Sequence, residues 1–286
     1  FGCQLPAPFI RQMAKQNSLW INLEYFSAET WALQWHGLPS LQPGGVNKYV
    51  FFPGLSPKSG GLLREPDLQE KRLLWQNNLS EQQNFLKQLT VAPKPRLLIA
   101  NGALQVFLFC YNPAPITGLI NALATREEPA VVLIPRVLYD TLSNPLKQAN
   151  THQVYLAPIP FVKQDDFDKL LWSSHLNIVR GEDSFARALW ATKPFIWHIY
   201  PQDNDAHLVK LNAWLHDYDF PALNALNRAW SDNNDASVAQ DLSELFKQTR
   251  WDTWAAHAAQ YSNKLMQQAD LVTRLLSFAR KHATTR

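Results

Sequence analysis

The sequence predicts an open α/β sheet followed by a helical C-terminal part. Three observations lead there. From about Arg96 to His207, strand-length apolar runs alternate with amphipathic, helix-length stretches, the pattern of parallel βαβ units. Beyond His207 the periodicity turns wholly helical. The longest apolar runs, VFLFCY and AVVLIP, are strand-sized, far short of the roughly 20 residues of a membrane helix.

The elements follow in order. FGCQLPAPFIRQMA reads as a strand end, a turn and a short helix, and WINLEYFS as a strand over Trp20 to Tyr25. His36 to Pro66, rich in Gly, Pro and Ser, reads as a long irregular loop, and a loop of that length is more often functional than idle. EKRLLWQNNL and SEQQNFLKQL read as helices, the second capped by Ser80 with Gln83 in the capping-box position. PRLLIANG and VFLFCY read as strands, PITGLINALAT as a helix, and AVVLIP as a strand. One helix is expected over PRVLYDTLSNPLKQA, then the strand QVYLAPIP and the helix QDDFDKLLWSS. NIVR, SFARALWA and PFIWHIYP continue as strand, helix and strand. HLVKLNAWLHDY, FPALNALNRAW, SVAQDLSELFKQ and SNKLMQQADLVTRLLSFARK complete the chain as helices. The expected domains are residues 1–90, residues 91–235, and C-terminal helices over 236–286 that pack back toward the first domain.

Composition sets broad limits. The 286 residues are 46% apolar and 18% charged, with eleven Trp and fifteen Phe, enough material for two cores. The net charge of +3 is spread along the chain, without the local excess of a nucleic-acid binder. The two cysteines, Cys3 and Cys110, make no disulfide framework or zinc spacing, and Cys110 reads as a buried thiol. A cytoplasmic protein without a metal or other cofactor is the simplest expectation. The eight histidines are scattered, and His198 reads as a core or supporting residue.

The feature that does not read as core is VRGEDSFARALWATKPFIWHIYPQ. In open α/β sheets, ligands bind beyond the carboxyl ends of the strands, and NIV delivers RGEDS to that position. Gly181 permits a tight turn, and Ser184 would open the next helix, whose free amides suit phosphate. Arg180 adds a bidentate cation. Glu182 and Asp183 would repel a diphosphate and so should face a sugar or a cationic acceptor. The plainer reading has Asp183 or Ser184 merely capping the helix.

These words, with FGCQLP, WINLEYFSAETW, HGLPS, FFPG and PFVKQDDFDKLLW, closely resemble the bacterial protein-arginine rhamnosyltransferases that modify elongation factor P. The resemblance covers essentially the whole chain. It implies a GT-B fold: two Rossmann-like domains facing a cleft, the first apparently lacking its N-terminal part. The implied activity moves L-rhamnose from dTDP-β-L-rhamnose to an arginine of elongation factor P, with inversion and without metal. That modification would activate the factor for relief of ribosome stalling at polyproline. A monomer, with the factor's acceptor domain as its protein partner and no nucleic acid or membrane, is expected.

The implied donor pocket holds thymine between Phe161 and Phe167 beside Gln164. Arg180, Asp183, Ser184 and Tyr200 take diphosphate and sugar, with Tyr111 a weaker member. Core packing is the alternative for the aromatics. Glu182 and Asp183 are the expected catalytic acids. The family's expected base is one of two aspartates in a loop before the point where FGCQLP matches, so no residue here is assigned that role. Competing readings are a nucleotide-sugar enzyme with another acceptor, an epimerase, or a donor-binding fragment without turnover.

Overall fold

The computed structural model describes residues 5–148 and 153–283. The chain divides into two compact units. One comprises the residues up to Glu65, Leu208–Asp217, and those from Lys264 onward; the other comprises Pro66–His207 and Tyr218–Asn263. By this division the first stretch ends at Glu65, and the chain beyond His207 is shared between the two units.

The first unit starts with α1 (Ala7–Lys15), whose N-terminus is set by Pro6 and Pro8. Three strands follow around α2 (Thr30–Trp35). The outer strand β1 (Trp20–Leu23) runs parallel to the central β3 (Asn47–Phe51), with Trp20 opposite Lys48. On the other side β2 (Pro39–Leu41) pairs antiparallel to β3, Pro39 opposite Tyr49. The expected irregular loop over 36–66 therefore holds two strands. PSL is short and exposed, and the apolar run YVFF at β3 sits among Gly, Pro and Ser, which give the stretch the look of a loop.

The second unit opens with α3 (Leu68–Gln76) and α4 (Leu79–Gln88). Asn78, not Ser80, caps α4, accepting the Glu81 N–H at 3.1 Å. PRLLIANG is not a strand but α5 (Pro93–Ala100). Pro93 sits in its first turn, where no intrahelical N–H is needed, and the four-residue apolar run is too short to separate helix from strand.

Then come β4 (Leu104–Leu108), α6 (Ile116–Ala124), β5 (Ala130–Pro135), α7 (Arg136–Thr141), α8 (Asn144–Gln148), β6 (Val154–Ile159), α9 (Gln164–Ser173), β7 (Leu176–Arg180), α10 (Gly181–Trp190) and β8 (Phe195–His198). The single helix expected over Pro135–Ala149 is broken between α7 and α8, where Leu142 turns to extended backbone (φ -69°, ψ 145°). The five strands form one parallel sheet in the order β6-β5-β4-β7-β8. Every residue of β4 and β5 is buried, as in a sheet covered by helices on both faces.

The remaining helices are α11 (Ala206–Tyr218), α12 (Pro221–Ser231), α13 (Asp235–Leu245), α14 (Gln248–Met266) and α15 (Leu271–Ala283). α13 packs on α6 at close range. The Gly118 N–H donates to the Asp235 carboxylate at 2.6 Å, and a Cβ at Gly118 would lie 2.4 Å from the Asp235 carbonyl oxygen. α15 returns to the first unit: the Leu271 N–H donates to the Leu62 carbonyl at 2.9 Å, and Arg274 donates to the Ser59 carbonyl at 2.7 Å. Phe278 stands edge-on to Phe51, their centroids 5.4 Å apart.

Candidate functional site

In the order β6-β5-β4-β7-β8 the chain's direction of winding reverses between β4 and β7, and the loops leaving these neighbours part to opposite sides. A crevice opens at such a switch point, beyond the carboxyl ends. Here that crevice is lined by Phe109–Tyr111, which follow β4, and by Arg180 and Gly181, at the end of β7.

Arg180 holds the centre. Its guanidinium donates to the Cys110 carbonyl at 3.3 Å and lies 4.5 Å from the Phe109 ring centroid and 5.0 Å from that of Tyr111. Stacking of this kind leaves the edges of the planar cation open to a ligand. Phe109 and Tyr111, just past the end of β4, both meet this arginine. Phe109 is the member of this cluster that sequence reasoning missed. Its signal lay in the F-x-F-x-Y spacing of FLFCY.

Gly181 adopts φ +67°, and a Cβ there would sit 3.1 Å from the Tyr111 hydroxyl. Both facts favour glycine. The helix opens at Gly181, three residues earlier than expected, with Arg180 as its N-cap and no side-chain cap. The capping alternative for Asp183 and Ser184 therefore does not hold. Glu182, Asp183 and Ser184 lie within the first turn, where acidic side chains complement the helix dipole. Trp197 pins the turn by donating its indole N–H to the Gly181 carbonyl at 2.8 Å.

Tyr111 meets Tyr200 edge-on at 5.4 Å and His198 at 5.3 Å. Partial burial raises the Tyr111 hydroxyl above its ordinary value, with the Arg180 charge opposing, so the hydroxyl remains a donor at neutral pH. His198 is buried, and its Nδ1 accepts the Tyr111 N–H at 3.3 Å. Burial, reinforced by Arg180, lowers His198 to about 4, so its ring is neutral at pH 7. It supports the site, as its strand position suggested.

A cavity of about 160 Å³ adjoins this cluster, lined by Phe109, Phe161, Pro135, Leu138, Asn112 and Arg180 among others. Pockets for whole drug-sized ligands run to roughly 300–1,000 Å³. This one has room for a ring rather than a complete nucleotide sugar. Phe161 is 64% exposed at its edge, poised to cover such a ring. Phe167 does not line it. Its ring stands edge-on to Phe107 and Phe109, at 5.4 and 5.2 Å. Gln164 is exposed and turns its amide toward Asp168 at 3.4 Å. Asp183 is exposed too, and Tyr200 is 61% exposed. The structure thus brings Phe161, Arg180, Tyr111, Tyr200 and the α10 turn together, with Phe167 one ring removed and Gln164 farther along α9.

Behind the site, Asp168 of α9 and Arg187 of α10 form a buried two-contact ion pair, the Arg187 Nε donating to Asp168 at 2.7 Å and its NH2 to the second carboxylate oxygen. The pair ties the helix carrying Gln164 and Phe167 to the helix carrying Glu182 and Ser184. Cys110 is buried and its thiol is pushed up to about 12, leaving it unreactive; Cys3 lies outside the described residues. Among the described residues no three His, Cys, Asp or Glu side chains converge as a metal site would require, and no helix is long and apolar enough to cross a membrane.

A parallel sheet with this strand order, an arginine and an uncapped helix start at its switch point, and a ring-sized aromatic cavity beside them define an α/β chain of the GT-B glycosyltransferase class. The chain belongs to the family described as elongation factor P (EF-P) rhamnosyltransferase EarP, whose pattern matches residues 1–280. A protein-arginine rhamnosyltransferase of Pseudomonas putida is 40% identical over 301 residues, spanning 98% of this chain and 76% of that protein. Its counterpart in Pseudomonas aeruginosa is 39% identical, spanning 97% and 76%. A solved structure that describes the basis of EarP-mediated arginine glycosylation of translation elongation factor EF-P superposes with a TM-score of 0.65 at 30% identity, covering 98% of this chain and 82% of that one.

Proposed function

We propose that the chain transfers L-rhamnose from dTDP-β-L-rhamnose to an arginine side chain of elongation factor P, inverting the anomeric centre. Family membership supports the transferase activity and the acceptor. The donor reading rests on one observation: the Arg180 guanidinium, stacked on Phe109 and Tyr111, stands beside both a ring-sized cavity and the uncapped start of α10.

In this reading the thymine enters the cavity against Phe109 and Phe161, with Phe167 buttressing Phe109. Base stacking of this kind is worth about 1–3 kcal/mol. Arg180 and the first amides of α10 take the diphosphate, while Tyr111, Tyr200 and Ser184 hold diphosphate or sugar.

The acceptor poses the harder problem. A guanidinium has a pKa of about 13, so freeing its proton at pH 7 costs on the order of 8 kcal/mol. A carboxylate must therefore orient the acceptor and take the proton as the new bond forms. The acceptor nitrogen attacks the anomeric carbon opposite the diphosphate, the C–O bond to the diphosphate breaks with its electron pair, and the product is α-linked. Arg180 and the helix amides stabilise the charge that grows on the leaving oxygen. Glu182, in the first turn beside them, orients these groups, and Asp183 faces sugar or acceptor.

The test is intact-mass analysis of elongation factor P after incubation with the full-length protein and dTDP-rhamnose. A gain of one deoxyhexose is expected with the wild type, and a strongly reduced gain with Arg180→Ala. No gain on the factor while the donor is consumed would overturn the reading in favour of another acceptor or an epimerase.

A further inference from the structure

A second cavity, about 410 Å³, lies at the opposite end of the parallel sheet from Arg180. Gln105 at the start of β4, His175 just before β7 and Lys193 just before β8 mark that end. α4 and α5 supply the apolar wall through Leu79, Phe85 and Ile99. Its volume is within the range of sites that enclose a small molecule, unlike the ring-sized pocket at the switch point.

The polar side of this cavity is made of glutamine amides, the Ser173 hydroxyl, His175 and the Lys193 ammonium. None of its lining residues is acidic. Lys193 is half-buried and, among the described residues, has no hydrogen-bond or ion-pair partner; burial and the nearby Arg72 charge both lower its pKa. The His175 Nδ1 accepts the Gln105 N–H at 3.0 Å, so in the neutral ring the proton is on Nε2 and available to donate. A half-buried ammonium beside a second cation, with no carboxylate in the lining, is disfavoured in its charged form. An anion would satisfy both groups at once, while a neutral ligand would leave the ammonium unpaired.

We propose that this cavity binds a small organic anion, with its phosphate or carboxylate at Lys193 and His175 and its apolar body against Phe85 and Ile99. The site is separate from the donor crevice and does not depend on the transfer reaction.

Calorimetric titration of the whole protein with phenyl phosphate, the donor crevice blocked by saturating dTDP, tests it. Binding is expected, weakened about tenfold or more in Lys193→Gln and within about twofold of wild type in Arg180→Ala. Gln83→Glu, which places a carboxylate in the lining from the surface of α4, should weaken it without touching the core. Phenol, the same ring without the charge, should bind at least about tenfold more weakly. The proposal fails if phenyl phosphate does not bind at millimolar concentration, if Arg180→Ala abolishes binding while Lys193→Gln leaves it intact, or if phenol binds equally well. Should Lys193→Gln prove unfolded by circular dichroism, the Gln83→Glu result decides.

Discussion

The Arg180 guanidinium lies 4.5 Å from the centroid of the Phe109 ring and donates to the carbonyl of the very next residue, Cys110. One strand end thus both stacks and tethers the cation of its neighbour. The arginine is held in place before any ligand arrives, which lowers the ordering cost of binding an anion.

Arg180→Ala should weaken dTDP binding by at least about tenfold, since charge-assisted hydrogen bonds contribute about 1.5–3 kcal/mol. Arg180→Lys should recover only part of this, because an ammonium lacks the planar face and the fork. Calorimetry with dTDP on each variant is the measurement, and full recovery by lysine would show that charge alone matters.

Glu182→Gln is expected to lower kcat by about 100-fold or more with KM for the donor nearly unchanged, the signature of a group that matters mainly in the transition state. Steady-state kinetics of rhamnosylation checks this. An increase in KM at constant kcat would instead make Glu182 a ground-state binding residue.

Asp168→Asn leaves Arg187 buried opposite a neutral amide, and such a half-broken pair costs about 3–5 kcal/mol. Replacing both residues, Asp168→Leu with Arg187→Met, should regain most of that loss. Urea unfolding of the three proteins gives the comparison. Donor affinity should remain impaired in the double variant if the pair also sets the spacing of α9 and α10.

His198 predicts an acid limb of stability. Its ring titrates near 4 when folded against 6.5 ordinarily, so the unfolded chain takes up a proton that the folded chain refuses. The stability is complete above pH 6.5 and is lost as the pH falls toward 4, by up to about 3 kcal/mol. His198→Asn should flatten that part of the profile. His175, likewise lowered to about 4, stays in the variant, so the difference between the two profiles isolates His198.

Much of the second unit was legible because its strands are buried on both faces and so read as uninterrupted apolar runs: AVVLIP and PFIWHI became the expected strands, and the first half of VFLFCY closes β4, which starts earlier, at Leu104. β2 and β3 were not legible. Their sheet has three strands and leaves most of β3 only half-buried, so polar residues are tolerated where a run was sought. At the site, Arg180, Tyr111 and the α10 turn could be placed because a strand end and a glycine announce them. Phe109 could not, since an aromatic inside an apolar run looks like core until the strand is seen to end one residue before it. Which rings reach the cavity depends on how α9 packs against β4, a tertiary relationship that no spacing within PFVKQDDF encodes.

The first unit gathers its residues from three separate stretches of chain. Leu62 waits for Leu271, Ser59 for Arg274, and Phe51 for Phe278. On a ribosome, the N-terminal strands would emerge long before the helix that closes over them, while the contiguous five-stranded sheet could already fold behind the exit tunnel. The unit whose strands come early in the sequence is thus closed by a helix that comes late in it. A chain cut before α15 would keep the five-stranded sheet intact but leave the N-terminal unit open, with Phe51 uncovered and prone to aggregation.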